Sequence, residues 1–266
     1  MTPLIEVHGL HYRYDDGTTA LTGVDFQLNP GESVALMGPN GSGKTTFVLH
    51  LNGLLAGEGK VEVCGLRVQN KHLAAIRRKV GMVFQNSDDQ LFMPTVLEDV
   101  AFGLRNAGVE QEAAEARALA ALEAAGMPPA TAGRAPYHLS AGEKKRVAIA
   151  GVLAMDPEIL VLDEPTTFLD PPAQRSLAAW LSQLPQAKLI VTHNMSFAAA
   201  LCNRAVFFKN GRIVADGPVP EIAERFGWDF SAPRSLVRSI AAEVEIFSAC
   251  LGDGHCFLIH FGISFC

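Results

Sequence analysis

The 266-residue chain has no long apolar run. Nothing in it approaches the roughly 18 consecutive apolar residues that suggest a membrane-spanning helix, and its longest candidate, 256–266, is short and contains His260. Positive charge is not in excess either. A formal net charge of −6 argues against a sequence-independent nucleic-acid binder, which needs a basic face. Residues 1–10 lack the basic start and apolar core of a secretory signal, so the expectation is a protein made and kept on the cytoplasmic side. Cysteine is sparse and odd in number, five residues at 64, 202, 250, 256 and 266, which favours a reduced protein over a disulfide framework. Cys250, His255, Cys256, His260 and Cys266 lie close together, but their spacing matches no common structural zinc pattern. Internal repeats, low-complexity linkers and sustained heptads are missing too. With 48% hydrophobic and 19% charged residues, the composition is that of an ordinary globular protein, long enough for one large domain with a smaller appendage.

What the chain does have is Gly38-Pro39-Asn40-Gly41-Ser42-Gly43-Lys44-Thr45, which reads as a phosphate-binding loop. It follows the apolar segment Ser33–Met37 and precedes Thr46–Leu51, which can open a helix; strand before and helix after is the context the motif needs. Its glycines let successive backbone N–H groups turn inward at a helix N-terminus and cradle a triphosphate. Lys44 is placed to reach the β- and γ-phosphates, and the Thr45 hydroxyl to ligate Mg²⁺.

The rest of the chain reads as α/β. Residues 4–10 alternate as an edge strand, and 21–28 alternate again between turns at Asp15–Thr18 and Asn29–Glu32, so a small antiparallel sheet precedes the loop. Further strands are expected at 60–64 and 80–84. The alanine-rich stretch 110–125 predicts a helix, stopped by Gly126-Met127-Pro128-Pro129. A second helix is expected from near Ser140 through Met155, followed by a continuous apolar strand at 158–162 and another at 188–192, as in a parallel sheet covered on both faces. Strands alternating with helices around a mostly helical insertion give an α/β core carrying a helical subdomain.

Asp163 and Glu164 fall at the carboxyl end of the 159–162 strand, where open α/β sheets place ligand-binding groups. Asp163 is suited to hold Mg²⁺, directly or through water, and Glu164 to orient and deprotonate an attacking water. Just upstream, Leu139-Ser140-Ala141-Gly142-Glu143 followed by Lys144-Lys145-Arg146-Val147-Ala148-Ile149-Ala150 resembles the signature of ATP-binding cassette ATPases. Gln85 after the Val80–Phe84 strand resembles their Q-loop, Phe168-Leu169-Asp170 their D-loop, and His193 after the Leu189–Val191 strand their switch histidine. The resemblance runs over roughly residues 4 to 225 in seven ordered motifs.

It implies an α/β ABC-type nucleotide-binding domain: a RecA-like P-loop core with a small antiparallel β subdomain and a helical subdomain at about 86–156, in a domain spanning 1–225. The extension 226–266 is one that related ATPases can use to dimerise. The implied activity is ATP hydrolysis with Mg²⁺. Residues 38–46, ending in Thr46, would hold the phosphates; Thr45, Gln85 and Asp163 would serve the metal; Glu164, His193 and Gln85 would serve catalysis. An aromatic stacks on adenine in this family, and Tyr14, next to the Asp15–Gly17 turn, fits better than Tyr12. Ser140, Gly142, Glu143 and Asp170 would approach a nucleotide held by another subunit, so the resemblance implies a homodimer or a paired ATPase paralogue. The commonest form of the signature has Gly-Gly-Gln where this chain has Ala141-Gly142-Glu143.

The stretch 85–92 followed by Pro94–Gly103 resembles the ATPases of energy-coupling-factor transporters, and the segments 193–202 and 211–217 are most similar to the cobalt-uptake branch. Nickel and biotin branches are close. This resemblance implies a peripheral protein on the cytoplasmic face of the cell membrane, partnered by an integral membrane coupling subunit and a substrate-binding membrane subunit. Asp88–Phe92 would contact the coupling subunit through Leu91 and Phe92. The competing class is a soluble cassette ATPase acting on DNA or ribosomes. The DNA-repair type requires a long coiled coil between phosphate loop and signature, and the chain has no heptads there; the translation-factor type carries two cassettes, and only one is present.

Overall fold

The computed structural model describes residues 2–228; what was expected of the tail beyond them, including the cysteine-rich end and a dimerising role, lies outside the described residues. In chain order the elements are β1 (Ile5–Arg13), β2 (Thr19–Leu28), β3 (Ser33–Met37), α1 (Lys44–Leu51), β4 (Glu58–Val63), β5 (Leu66–Arg67), α2 (Leu73–Lys79), β6 (Val80–Val83), α3 (Val96–Asn106) and α4 (Gln111–Ala124). They continue with α5 (Ala141–Leu153), β7 (Ile159–Asp163), α6 (Pro171–Ser182), β8 (Ala187–Val191), α7 (Met195–Leu201), β9 (Arg204–Lys209), β10 (Arg212–Pro218) and α8 (Val219–Arg225).

Two sheets share one apolar core. The first is antiparallel, in the order β2-β1-β4-β5. Its alternation places Val24, Phe26 and Leu28 inward and Asp25 and Gln27 outward, the half-buried pattern of such a sheet. β1 is not the edge strand its sequence suggested. β4 returns after the phosphate loop and its helix to pair with its free side, Ile5 opposite Val63 and Val7 opposite Val61. Local alternation reports which face of a strand is buried, and carries no information about a second neighbour some fifty residues away.

The second sheet runs β10-β9-β3-β8-β7-β6, parallel from β9 to β6 with β10 antiparallel at one edge. β7 and β8 are buried along their whole length, so the continuous apolar runs Ile159–Leu162 and Leu189–Val191 follow from a sheet covered on both faces. The β9–β10 hairpin turns on Asn210 and Gly211, with φ of 50° and 72°, the double positive φ of a tight two-residue turn.

A separate apolar cluster lies among the helices between β6 and β7. Val96, Val100 and Leu104 of α3 meet Ala114, Ala118 and Leu122 of α4 and Val147 and Ala150 of α5. The four-residue spacing of Ala114, Ala118 and Leu122 puts them on one face of α4, and the two alanines let the helices approach closely. Thr95 and Ser140 each open a helix with a reciprocal capping box, to Glu98 and Glu143 respectively. Such caps contribute about 1 kcal/mol each and set where α3 and α5 begin.

Candidate functional site

The phosphate loop joins the buried strand β3 to α1, and two of its glycines are required by their surroundings. Gly38 has φ 135°, and a Cβ there would lie 2.2 Å from the Phe208 carbonyl oxygen. Gly43, at φ 104°, would place one 2.6 Å from that of Ala20. The β9–β10 turn braces the loop from behind, with the Gly211 N–H donating to the Ser42 carbonyl at 3.0 Å. Inside the loop the Ser42 hydroxyl is buried without a hydrogen-bond partner among the described residues. The Lys44 ammonium lies over the loop, donating to the carbonyls of Gly38 at 2.8 Å and Pro39 at 3.0 Å. Burial pushes its pKa down, opposed by the carboxylates of Glu164 and Asp163.

β7 ends beside it. The Thr45 hydroxyl donates to Asp163 Oδ2 at 3.0 Å. Burial pushes the Asp163 carboxyl up, with the Thr45 hydrogen bond opposing. Glu164 takes a left-handed backbone, φ 44°, while its N–H still donates to the Val191 carbonyl at 2.8 Å. That kink turns the carboxylate off the end of the sheet toward the next strand's exit. There the His193 N–H donates to Glu164 Oε2 at 3.4 Å, and His193 Nδ1 stands 2.9 Å from the same oxygen. The carboxylate is 11% exposed and the imidazole 69%, so the histidine covers the acid from the solvent side.

These groups meet in one cleft of about 780 Å³. The whole loop from Gly38 to Thr46, including Pro39, Asn40, Gly41 and Ser42, lines it together with Gln85, Asp163, Glu164 and His193. Tyr14 lines it too, its hydroxyl 2.9 Å from Thr46 Oγ1. Tyr12 instead packs on the core, edge-on to His50 at 4.8 Å between centroids. Of the two tyrosines, Tyr14 is thus the one whose ring lies at the cleft.

Ser140, Gly142, Glu143 and Asp170 do not line that cleft. Ser140 caps α5, and its N–H and hydroxyl both donate to Glu143 Oε2, at 2.7 and 2.8 Å, while Arg134 donates to Glu143 Oε1 at 3.2 Å. The hydrogen bonds from Ser140, reinforced by Arg134, hold the Glu143 carboxyl below its usual range. The charge that departs from the family's glutamine is thus engaged in its own helix cap. Asp170 likewise caps α6, accepting from the Ala173 N–H at 2.8 Å. Gly142 lies against Leu169 and Ala173, so signature and D-loop form one surface. Phe92 is 61% exposed and edge-on to Phe102, as its place in a polar loop suggested. Leu91 is not its equal: it packs against the helical cluster, because the turn at Ser87–Asp89 swings it inward.

Three contributors were not anticipated from the sequence. Lys145 is buried and donates to the carbonyls of Phe84 and Gln85; burial pulls its pKa down to about 8. Gln90 accepts from the Phe84 N–H at 2.9 Å and donates to the Met82 carbonyl at 3.1 Å. Trp228 lines the cleft from a segment in which Phe226 stacks on Phe207. A polar residue among apolar ones at helical spacing, as Lys145 is between Ala141 and Ile149, was the available signal for the first.

The sequence pattern of the family described as ABC transporter matches residues 21–167. An ABC transporter ATP-binding protein of Streptomyces avermitilis is 55% identical over 83% of this chain and 84% of its own length. The energy-coupling factor transporter ATP-binding protein EcfA of Methanothermobacter thermautotrophicus is 48% identical over 82% of this chain and 72% of its own length. Among solved structures, cbiO1 from Clostridium perfringens, part of the ABC transporter complex cbiONQ, superposes with a TM-score of 0.76 at 31% identity. That match covers 94% of this chain and 99% of cbiO1. The cassette MJ0796, solved as a dimer in a post-hydrolysis state with ADP and Pi, gives 0.73 at 30% identity, over 81% and 98%. The chain belongs to the ABC transporter family. Its fold is the ABC ATPase fold, and it is an ATP-binding ATPase.

Proposed function

We propose that this ATPase drives import through an energy-coupling-factor transporter, with a transition-metal ion as cargo and cobalt as the first choice. The observation that carries the catalytic part is the close placement of Glu164 and His193 beside the phosphate loop. In this reading the loop N–H groups, Lys44 and the Ser42 hydroxyl bind the phosphates, and Tyr14 stacks on the base. Glu164 orients the attacking water and takes its proton, while His193 holds the carboxylate and faces the γ-phosphate. The donors Thr45, Gln85 and Asp163 are all oxygen groups, which suits a small hard cation. Mg²⁺ held there would neutralise charge developing on the β- and γ-phosphate oxygens. Ser140 and the Gly142 backbone, at a helix N-terminus and outside the chain's own cleft, would serve the nucleotide of a second copy or a paired paralogue.

The transporter part is supported by the relatives named for energy-coupling-factor and cbiONQ complexes and by the exposed Phe92 on the helical region. Among the described residues no helix is long and apolar enough to cross a membrane, so in this reading the chain meets the membrane through partner subunits on its cytoplasmic face. Phe92→Ser tests it. Basal ATPase of the isolated subunit should stay within about twofold of the parent, since the side chain is exposed and does not line the cleft. Co-purification with the membrane subunits should weaken and cellular uptake should fail. Uptake of labelled cobalt, nickel and biotin, measured in parallel, assigns the cargo. Full uptake by Phe92→Ser would remove the support this loop lends.

A further inference from the structure

Where β6 ends at Val83, its last paired residue, opposite Leu162 of β7, the chain leaves the sheet and its peptide groups lose their strand partner. Two side chains take over. Gln90 receives the Phe84 N–H at 2.9 Å, and Lys145 donates to the Phe84 carbonyl at 3.2 Å and the Gln85 carbonyl at 2.9 Å. Lys145 is 2% exposed, and a buried ammonium is expensive unless hydrogen-bonded. It makes no salt bridge among the described residues; its hydrogen bonds are those two carbonyls. On the outer side of the same loop Lys144 pairs with Asp88 at 2.6 Å. The loop carrying Gln85 is thus tied to α5 by two consecutive lysines, and α5 is the helix that Ser140 begins.

We propose that Lys145 is a positioning residue for ATP hydrolysis, holding the Gln85 main chain so that its side chain stays at the cleft and moves together with the signature helix. Only a buried donor aimed at consecutive carbonyls performs this: an exposed pair such as Lys144–Asp88 contributes little stiffness by itself. The inference rests on the reading of Gln85 as a residue that serves the metal and the attacking water.

The test is a double-mutant cycle in the full-length protein with Lys145→Met and Gln85→Ala, reading kcat, the Mg²⁺ concentration for half-maximal rate, and ATP affinity by calorimetry. Each single change should lower kcat by about tenfold, the scale of losing geometry at a reacting centre, and raise the Mg²⁺ requirement. ATP affinity should stay within about twofold, and the double variant should be no worse than Gln85→Ala, since residues acting through one another are not additive. Lys145→Gln keeps a hydrogen-bond donor and should restore most of the rate; it also serves if the methionine variant fails to fold. A multiplicative loss in the double variant, or a Lys145→Met that lowers kcat at an unchanged Mg²⁺ requirement, overturns the proposal. If Gln85→Ala itself leaves rate and Mg²⁺ requirement unchanged, the reading of Gln85 falls and the proposal with it.

Discussion

The α/β core and the helical region between β6 and β7 handle their functional residues in opposite ways. In the core, the parallel strands deliver Lys44, Thr45, Asp163, Glu164 and His193 to one cleft, and those side chains bond to one another or to the loop. In the helical region the signature residues cap their own helix. The same region exposes aromatics, Phe92 at 61% and Tyr137 at 75%. Phe168, in the D-loop beside the signature, is 79% exposed on a left-handed backbone, φ 65°, a conformation unfavourable for a bulky residue. The chain therefore gathers the phosphate loop, the acidic pair and His193 in its own cleft and leaves the signature surface outside it. In the proposed reading, the chemistry is built within the chain and the signature serves a nucleotide held by another.

The largest effect should come from the core. Glu164→Gln is expected to keep ATP binding and lower hydrolysis by about 10²-fold or more, the scale of losing a positioned base; a turnover within twofold of the parent would break the contrast at its strongest point. Next in size are two deletions of one buried side chain each, Leu160→Ala in β7 and Leu104→Ala in α3. Both residues are essentially unexposed, so each should cost about 2–5 kcal/mol. Hydrogen exchange should separate them: Leu160→Ala lowers protection throughout the parallel sheet, whereas Leu104→Ala loosens α3–α5 first while the phosphate loop still binds ATP. Equal loosening of both regions by Leu104→Ala would show that they are one cooperative unit.

The smallest effect concerns thiols. Burial pushes Cys202 up to about 12 and Cys64 to about 11, both on the core side. Folding thus favours the neutral thiol, and the unfolded chain ionises first as pH rises above about 8.5. These two groups contribute stability at neutral pH that declines from there toward their folded values. Alkylation at pH 8, followed by peptide mapping, should label both more slowly in the native protein than in the unfolded one. Equal rates would contradict the burial.

Much of the core was legible because its signals are local. A glycine-rich loop between an apolar strand and a helix, and an acidic pair at a strand end, each specify position and chemistry together. In the helical region the capping boxes of Ser140 with Glu143 and Thr95 with Glu98 are equally local, and neither was anticipated. What else stayed hidden depends on partners distant in sequence. β1 gained its second neighbour from β4. Lys145 reached Gln85 from the far side of the helical region. Leu91 and Phe92 look alike in the sequence, and only the turn before them decides that one packs inward and the other faces solvent.

In the proposed reading, a complete site needs the cleft of one chain and the signature of another. That requirement is tested most directly by light scattering of Glu164→Gln with saturating Mg-ATP, alone and combined with Ser140→Arg. The account predicts that Glu164→Gln doubles in mass on adding ATP. The double variant should remain monomeric, since a bulky cation at the α5 N-terminus blocks the contact with the other chain's nucleotide. Dimerisation of both variants to the same extent, or of neither, would contradict it.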